Sequence, residues 1–357
     1  MSDSEIRVLI TGAGGAGSLG RELMKSFHLA SQKYKIIATN SSPISLGLFE
    51  TSFGYIIPNA SSPQYIKILL EICKKEKIQA VVGGSESEIE TIARNMKIFS
   101  ENGIEVLSNT IDVIELCSDK YKLANFLSTK KNLSPKTIIF KNKSDFEKFE
   151  SFPLVIKPRF GSGSRNVFIA NDIDEASFFC NYLKKYDMEP LIQEYAGDHE
   201  NEFSVGVLYA EDGKLTTSIA MKRMLEGGLS TRQVSFSNNS KKKYVISSGH
   251  SQGFFDEFKD VTEAGIEIAK MINSNGPINI QCRKTENGIS VFEINPRFSG
   301  TVTSRSLVGH NEPDIYCRYK LYGEIPEKVQ HKIGYVMRDF NEKFLSLKQI
   351  EEKSRYG

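Results

Sequence analysis

A doubly wound α/β domain followed by two α+β units is the fold class this sequence predicts. Three observations predict it. Strand and helix signals alternate from Ile6 to Leu107, a helix start at Ser118-Asp119 opens a second unit, and the chain after Pro190 turns strand-rich.

Ile6 to Ile10 is a short apolar run, followed by a glycine turn, a helix from about Leu19 to Leu29 and a strand from Lys35 to Thr39. That is a βαβ opening. A helix near Gln64 to Glu76, a buried-type strand Gln79 to Val82, a helix near Glu86 to Ser100 and the strand Glu105 to Leu107 complete a parallel sheet. The helix from Lys120 to Thr129 begins the second unit and Pro135 marks its exit. Strands Thr137 to Phe140 and Leu154 to Ile156, with helices near Ser144 to Phe149 and Ile173 to Tyr186, make a small α+β module. Strands Leu191 to Glu194, Glu202 to Tyr209, Leu215 to Met221, Gln233 to Phe236 and Tyr244 to Ser247 follow, before a helix from about Glu257 to Ile272. The expected boundaries are 1–117, 118–190, 191–325 and a C-terminal extension 326–357.

A hydrophobic content of 39% with 25% charge is that of an ordinary globular protein, and 357 residues suffice for two or three packed units. A formal charge of +2 gives no general pull toward nucleic acid, and the basic run Lys241 to Lys243 reads as a solvated turn before a strand. Bilayer crossing needs an apolar run of about 20 residues, which is absent. With an acidic, polar N-terminus the expected location is the cytoplasm, with no membrane partner. Five scattered cysteines and five dispersed histidines support neither a zinc centre nor a Ser-His-Asp triad, so buried free thiols are expected.

The turn Gly12, Ala13, Gly14, Gly15, Ala16, Gly17 fits GxGxxG after a strand. The second strand, however, ends in Asn40, Ser41, Ser42, without the acidic residue that pairs with the ribose of NAD. A tight turn and close helix packing explain these glycines better.

The most chemically informative stretch is Gly276 to Gly300. In FEINPR, side chains two apart share a face, so Glu293 and Asn295 point together while Phe292 and Ile294 are expected in the core. Asn287-Gly288 favours a hairpin that lays Gln281 beside Glu293. Three oxygen donors then converge, which suits Mg²⁺ and the phosphates of a nucleotide. Pro296 ends the ladder and leaves Arg297 at its mouth, available to an anion. Upstream, Lys157 stands at a strand end before Gly161, Ser162, Gly163, Ser164, a composition that grips phosphate although the Walker spacing is absent. Gln193, Glu194, Tyr195 end another strand, where free backbone groups can read an adenine and a nearby carboxylate can accept from ribose hydroxyls.

The order Asp119-Lys120, Lys157-Pro158 with its glycine loop, Gln193-Glu194-Tyr195, Glu202, Gln281 and Glu293-x-Asn295-x-Arg297 resembles the ATP-grasp superfamily, nearest to the carbamoyl-phosphate synthetase large-subunit branch. The resemblance spans roughly Ile6 to Gly323. It implies an N-terminal Rossmann-like preATP-grasp domain and then an ATP-grasp fold of two α+β subdomains, a lid and a larger one, with ATP between them. Lys120 and Lys157, with Ser162 and Gly163, go to the phosphates, and Gln193, Glu194 and Tyr195 to the adenine hinge. Glu202, or Glu200 given the loose spacing, goes to the ribose. Gln281, Glu293 and Asn295 match the metal and nucleotide ligands, for two Mg²⁺ with Mn²⁺ as a substitute, and Arg297 matches the catalytic arginine.

The segment Met221 to Gln233 lines the acceptor side in similar ligases. Catalytic Arg223 with Arg232 and Arg297 forms a cationic pocket there for a substrate carboxylate, joined by His250 and Ser299. The expected activity is ATP-dependent ligation of a small-molecule carboxylate to an amine, of amino-acid or amino-sugar type, through an acyl-phosphate. Carbamoyl-phosphate synthesis itself is not expected, because that synthetase carries two modules and this length accommodates one; no biotin-carrier segment is visible. An NAD-dependent oxidoreductase and a non-catalytic ATP-binding regulator are the alternatives. The oligomeric state is open, with a homodimer the commonest form for such an enzyme.

Overall fold

The computed structural model describes residues 5–355 with the exception of 52, 132, 227–229, 237–241, 328 and 340–341. Strands β1 (Ile6–Ile10), β2 (Tyr34–Asn40), β3 (Phe53–Ile56), β4 (Ala80–Val82) and β5 (Glu105–Val106) lie parallel in the order β3-β2-β1-β4-β5. Their near-continuous apolar runs are covered on both faces, as a parallel sheet requires. The strand order reverses between β1 and β4, so the loops after these two strands meet at the switch point of the sheet. The helix Leu19–His28 after β1 starts on Ser18, whose side chain accepts from the Arg21 N–H at 3.4 Å.

A second sheet contains β6 (Thr137–Ile139), β7 (Leu154–Pro158), β8 (Phe168–Ala170) and β9 (Pro190–Glu194), all antiparallel in the order β6-β9-β7-β8. The helix Ile173–Lys185 closes one face, packing Ala176, Cys180 and Leu183 on Leu154, Ile156 and Ile192. The third sheet is built from β10 (Glu202–Ala210), β11 (Leu215–Met224), then, after the separate pair β12 (Thr231–Phe236) and β13 (Lys243–Ser247), β14 (Gln252–Phe255), β15 (Gly276–Thr285), β16 (Gly288–Asn295) and β17 (Gly334–Val336). Its antiparallel order is β16-β15-β10-β11-β14-β17. The helix Lys259–Met271 covers one face, where Val261, Ile268 and Ala269 meet Val205, Val207 and Ile280. Alternation along β10 and β15 therefore sends Glu202, Ser204, Asn279 and Gln281 to the opposite face.

Packing crosses the expected boundaries in three places. The helix Lys120–Lys131, expected with the lid, buries Leu123 and Leu127 in the core beneath the third sheet. Strand β9, expected with the larger subdomain, pairs on both sides inside the lid sheet. The C-terminal segment adds β17 to the edge of the third sheet and β18 (Ser354–Arg355) beside β3. One continuous apolar cluster joins the first and third sheets, with Phe27 and Ile36 in the same core as Leu208, Phe298, Val302 and Tyr316. The loops at the switch point are thereby fixed relative to β15 and β16. Cys73, Cys117, Cys180, Cys282 and Cys317 are free and buried, and among the described residues no helix is long and apolar enough to cross a membrane.

Candidate active site

The β15–β16 hairpin forms the floor. Its register sets Gln281 opposite Glu293 and Asn279 opposite Asn295, and the Asn295 Nδ2 donates to Glu293 Oε1 at 3.0 Å. A bulge between Gln281 and Cys282 gives β16 an extra residue, Phe292, and corrects the expectation that this ring is in the core. It is half-buried and lines the cavity beside Lys157 instead, because one inserted residue re-aims the side chain. Ile294 does enter the core.

Above the floor lies a cleft between the lid sheet and the third sheet. Lys157, at the end of β7, donates to Gln193 Oε1 at 2.8 Å and to the Phe292 carbonyl at 3.1 Å, and Gln193 donates onward to Thr137 Oγ1 at 2.7 Å. Burial pulls the Lys157 ammonium down to about 7, the neighbouring Lys120 charge adds to the fall, and the Glu293 carboxylate opposes it. Lys120 is lowered by burial too, against the pull of Glu293 and Glu86. Its ammonium donates to the Gly161 carbonyl, which fastens the glycine loop to the start of the helix Lys120–Lys131. The cleft is lined by Lys120, Lys157, Ser162, Gln193, Glu194, Tyr195, Glu202, Gln281 and Glu293, with Arg283 and Phe292.

A second cavity of about 580 Å³ adjoins it, sharing Ser162, Gln281 and Glu293. Gly163, Arg223, Arg232, His250, Asn295, Arg297 and Ser299 line this one. Every predicted site residue except Glu200, the alternative for the ribose, thus borders one of the two cavities. The segment 227–229 of the expected acceptor region lies outside the described residues, as does Lys241 of the basic run.

Two assignments change in character. Arg223 is fully engaged with the protein: Nε donates to Ser251 Oγ at 2.7 Å, Nη1 to Glu202 at 2.9 Å, to Ser247 Oγ at 2.8 Å and to Gln281 Oε1 at 3.3 Å, and Nη2 to the Ser248 carbonyl. A guanidinium so committed holds Glu202, Ser247, Ser251 and Gln281 in place. Glu202 is 0% exposed, with one carboxylate oxygen on Arg223 and the other on Arg283 at 2.9 Å. Only its remaining lone pairs are left for a ribose. The other ribose candidate, Glu200, is exposed and borders a different cleft with Lys222 and Lys242.

Several participants were invisible in the sequence. Glu86, at the start of the helix that follows β4, pairs with Arg297 at 2.8 Å, while the same guanidinium donates to Asn295 Oδ1 at 3.0 Å. Nothing local marks Glu86, because the contact spans 211 residues of chain. Arg283, two residues beyond Gln281 on the same strand face, was within reach of the periodicity argument. Arg305, fully buried, holds Asn279 and Ser204 from below at 2.6 and 3.1 Å and is balanced by Glu312.

At the switch point the GxGxxG turn is closed. A methyl on Gly17 would sit 2.1 Å from His250 Cε1, and one on Gly84 would sit 2.0 Å from the Thr11 carbonyl. Burial lowers the His250 imidazole, Arg338 adds to this, and Glu22 opposes it.

Residues 189–343 match a family model described as ATP-grasp in the biosynthetic pathway with Ter operon, and residues 8–107 match the PylC-like N-terminal domain. The chain therefore contains an ATP-grasp domain behind a PylC-like N-terminal domain. Among curated relatives, the carbamoyl phosphate synthase large chain of Clostridium perfringens is 26% identical over 328 residues, covering 85% of this chain and 29% of that one. The chain therefore spans under a third of the length of that relative. Among solved structures, the biotin carboxylase domain dimer of Hydrogenobacter thermophilus 2-oxoglutarate carboxylase, in complex with MgADP, ADP and bicarbonate, superposes with a TM-score of 0.63 at 16% identity. The match covers 92% of this chain and 73% of that one. The L-amino acid ligase of Bacillus licheniformis gives 0.62 at 14% identity, covering 89% and 74%. At such identities the likeness shows the shared ATP-grasp architecture.

Proposed function

We propose that this ATP-grasp protein is an ATP-dependent carboxylate–amine ligase. One observation carries the reading: Glu293, Asn295, Gln281 and Arg297 stand on and just beyond the β15–β16 hairpin where a phosphate-suited cleft opens into a second cavity lined by Arg232 and Arg297. Such a junction is where a γ-phosphoryl group would meet a carboxylate. The names of the Hydrogenobacter carboxylase and the Bacillus ligase support the same chemistry.

In the proposed reaction a carboxylate oxygen attacks the γ-phosphorus in line, the bond to the β-phosphate oxygen breaks, and ADP leaves with that electron pair. The resulting acyl-phosphate is attacked by an amine, which loses a proton as inorganic phosphate departs and an amide remains. Lys157 and Lys120 place positive charge on the phosphates, and the glycine loop 161–164 lets backbone N–H groups approach them. Arg297 holds the transferred group and the incoming carboxylate in register. Positioning and charge neutralisation account for most of the rate, which is why the site needs no nucleophilic serine or cysteine. Gln281, Glu293 and Asn295 would hold Mg²⁺. Their amide and carboxylate oxygens are hard donors, which suit that ion. When bound, that ion neutralises phosphate oxygens; two ions, with Mn²⁺ as a substitute, belong to the proposal.

Residues 1–117 act in this scheme as the acceptor-facing wall, the sheet of β6 to β9 as the lid, the third sheet as the floor, and β17 with β18 as a strap; a cytoplasmic homodimer acting on small molecules completes it. The alternative use of the GxGxxG turn for NAD is disfavoured by His250 seated on Gly17. ADP release in the presence of pooled carboxylates and amines is the test. Release that depends on both pools is expected, and near-normal turnover in both Glu293→Ala and Arg297→Ala would sink the assignment.

A further inference from the structure

We propose that Arg283 is a positioning residue for the nucleotide, fixing the hinge that carries the base and tying that hinge to the β12–β13 hairpin on the acceptor side. The inference rests on the nucleotide reading of the first cleft. Arg283 is 6% exposed and lies on β15 opposite Glu202. Its planar group meets three separate segments. Nε and Nη2 donate to Glu202 Oε2 at 3.1 and 2.9 Å, Nη1 to the Ala196 carbonyl of the hinge at 3.2 Å, and Nη2 to the Val245 carbonyl of β13 at 3.0 Å. The guanidinium carbon stands 4.2 Å from the centroid of the Tyr195 ring.

Tyr195 completes the tie from the hinge side. Its hydroxyl donates to the Val245 carbonyl at 3.1 Å and accepts from the Val245 N–H at 2.9 Å. Among the described residues β13 pairs with β12 alone, so side chains rather than a sheet ladder hold this hairpin against the floor. Two residues beyond Val245, the Ser247 carbonyl accepts from Ser164 Oγ of the glycine loop at 2.9 Å. Hinge, phosphate loop and acceptor-side hairpin therefore converge on Val245 to Ser247, and Arg283 is the group that reaches the hinge carbonyl, the ribose-side carboxylate and the hairpin together. A lysine keeps the charge but cannot supply a planar fork to acceptors on three segments or stack on Tyr195.

Titration of MgADP by calorimetry into wild type, Arg283→Lys and Arg283→Met, with the Tm of each, tests the proposal. Wild type binds, and R283K, which keeps a positive charge against Glu202, melts within a few degrees of it yet binds about tenfold more weakly, the scale of one lost charge-assisted hydrogen bond. In the ADP-release assay the KM for ATP rises by a similar factor while kcat stays within about twofold. Should R283M fail to fold, R283K alone carries the decision. R283K with wild-type affinity overturns the proposal, and so does a variant whose Tm falls while its affinity is kept, since Arg283 then serves only the fold. Absence of MgADP binding to wild type overturns the nucleotide reading itself.

Discussion

Two glycine loops follow β-strands in this protein, and they are used in opposite ways. In the loop after β1, Gly12 and Gly17 have positive φ (60° and 72°), and a methyl at either would collide, at Gly12 with Glu88 and Gly84 and at Gly17 with His250. In the loop after β7, Gly161 and Gly163 also have positive φ (116° and 69°), yet a methyl at either would meet nothing within 4 Å. The first loop lacks side chains so that protein can pack there; the second lacks them beside an open cavity bordered by lysines. A GxGxxG match reports close backbone approach, and the object that approaches is decided by the rest of the chain.

The largest effects are expected on the floor shared by the two cavities. Glu293→Ala and Arg297→Ala should each reduce substrate-dependent ADP formation by at least about a hundredfold, the scale of losing one preorganised electrostatic group at a reacting centre. Retained turnover would detach the second loop from phosphoryl chemistry and remove the contrast with the first.

Lys157 sharpens the comparison through pH. Burial and the Lys120 charge pull its ammonium down to about 7 in the unliganded protein, and nucleotide phosphates beside it would favour the protonated form. Binding above that pH takes up a proton, so MgADP affinity should decline from pH 7 to 9, approaching tenfold per unit, and Lys157→Met should bind weakly with a flat profile. For folding, the ordinary lysine value of 10.5 holds in the unfolded chain, which carries the extra proton between about 7 and 10.5. This residue's contribution therefore makes the unliganded protein more stable as pH rises through that window, measurable by denaturant titration.

A smaller effect, on stability alone, is expected at the first loop. Gly17→Ala must hold a left-handed backbone and displace His250, costing about 1–3 kcal/mol in denaturant unfolding. The smallest belongs to Glu86→Gln. Its pair with Arg297 is part-exposed (48% and 20%), so unfolding stability should change by less than about 1 kcal/mol.

Local periodicity made much of the fold legible: the parallel sheet was readable from apolar runs such as Ile6 to Ile10, and the floor from FEINPR. The bulge that turns Phe292 into the cleft was not, because it depends on register between two strands rather than on either strand's pattern. Lys157, Glu194 and Glu293 carry signals within their own segments. Glu86 and Arg305 act on residues far along the chain, and no local spacing announces such contacts. Arg223 and Glu202 were located in sequence, but their mutual pairing was not, since it is a tertiary fact.

The central claim is that the loop after β7, and not the loop after β1, serves a nucleotide. Titrating MgADP and NADH into wild type, Gly161→Ala and Gly17→Ala tests it most directly. The account predicts saturable MgADP binding that Gly161→Ala weakens and Gly17→Ala leaves unchanged, with no NADH binding. NADH binding lost in Gly17→Ala, with MgADP absent from wild type, would contradict it.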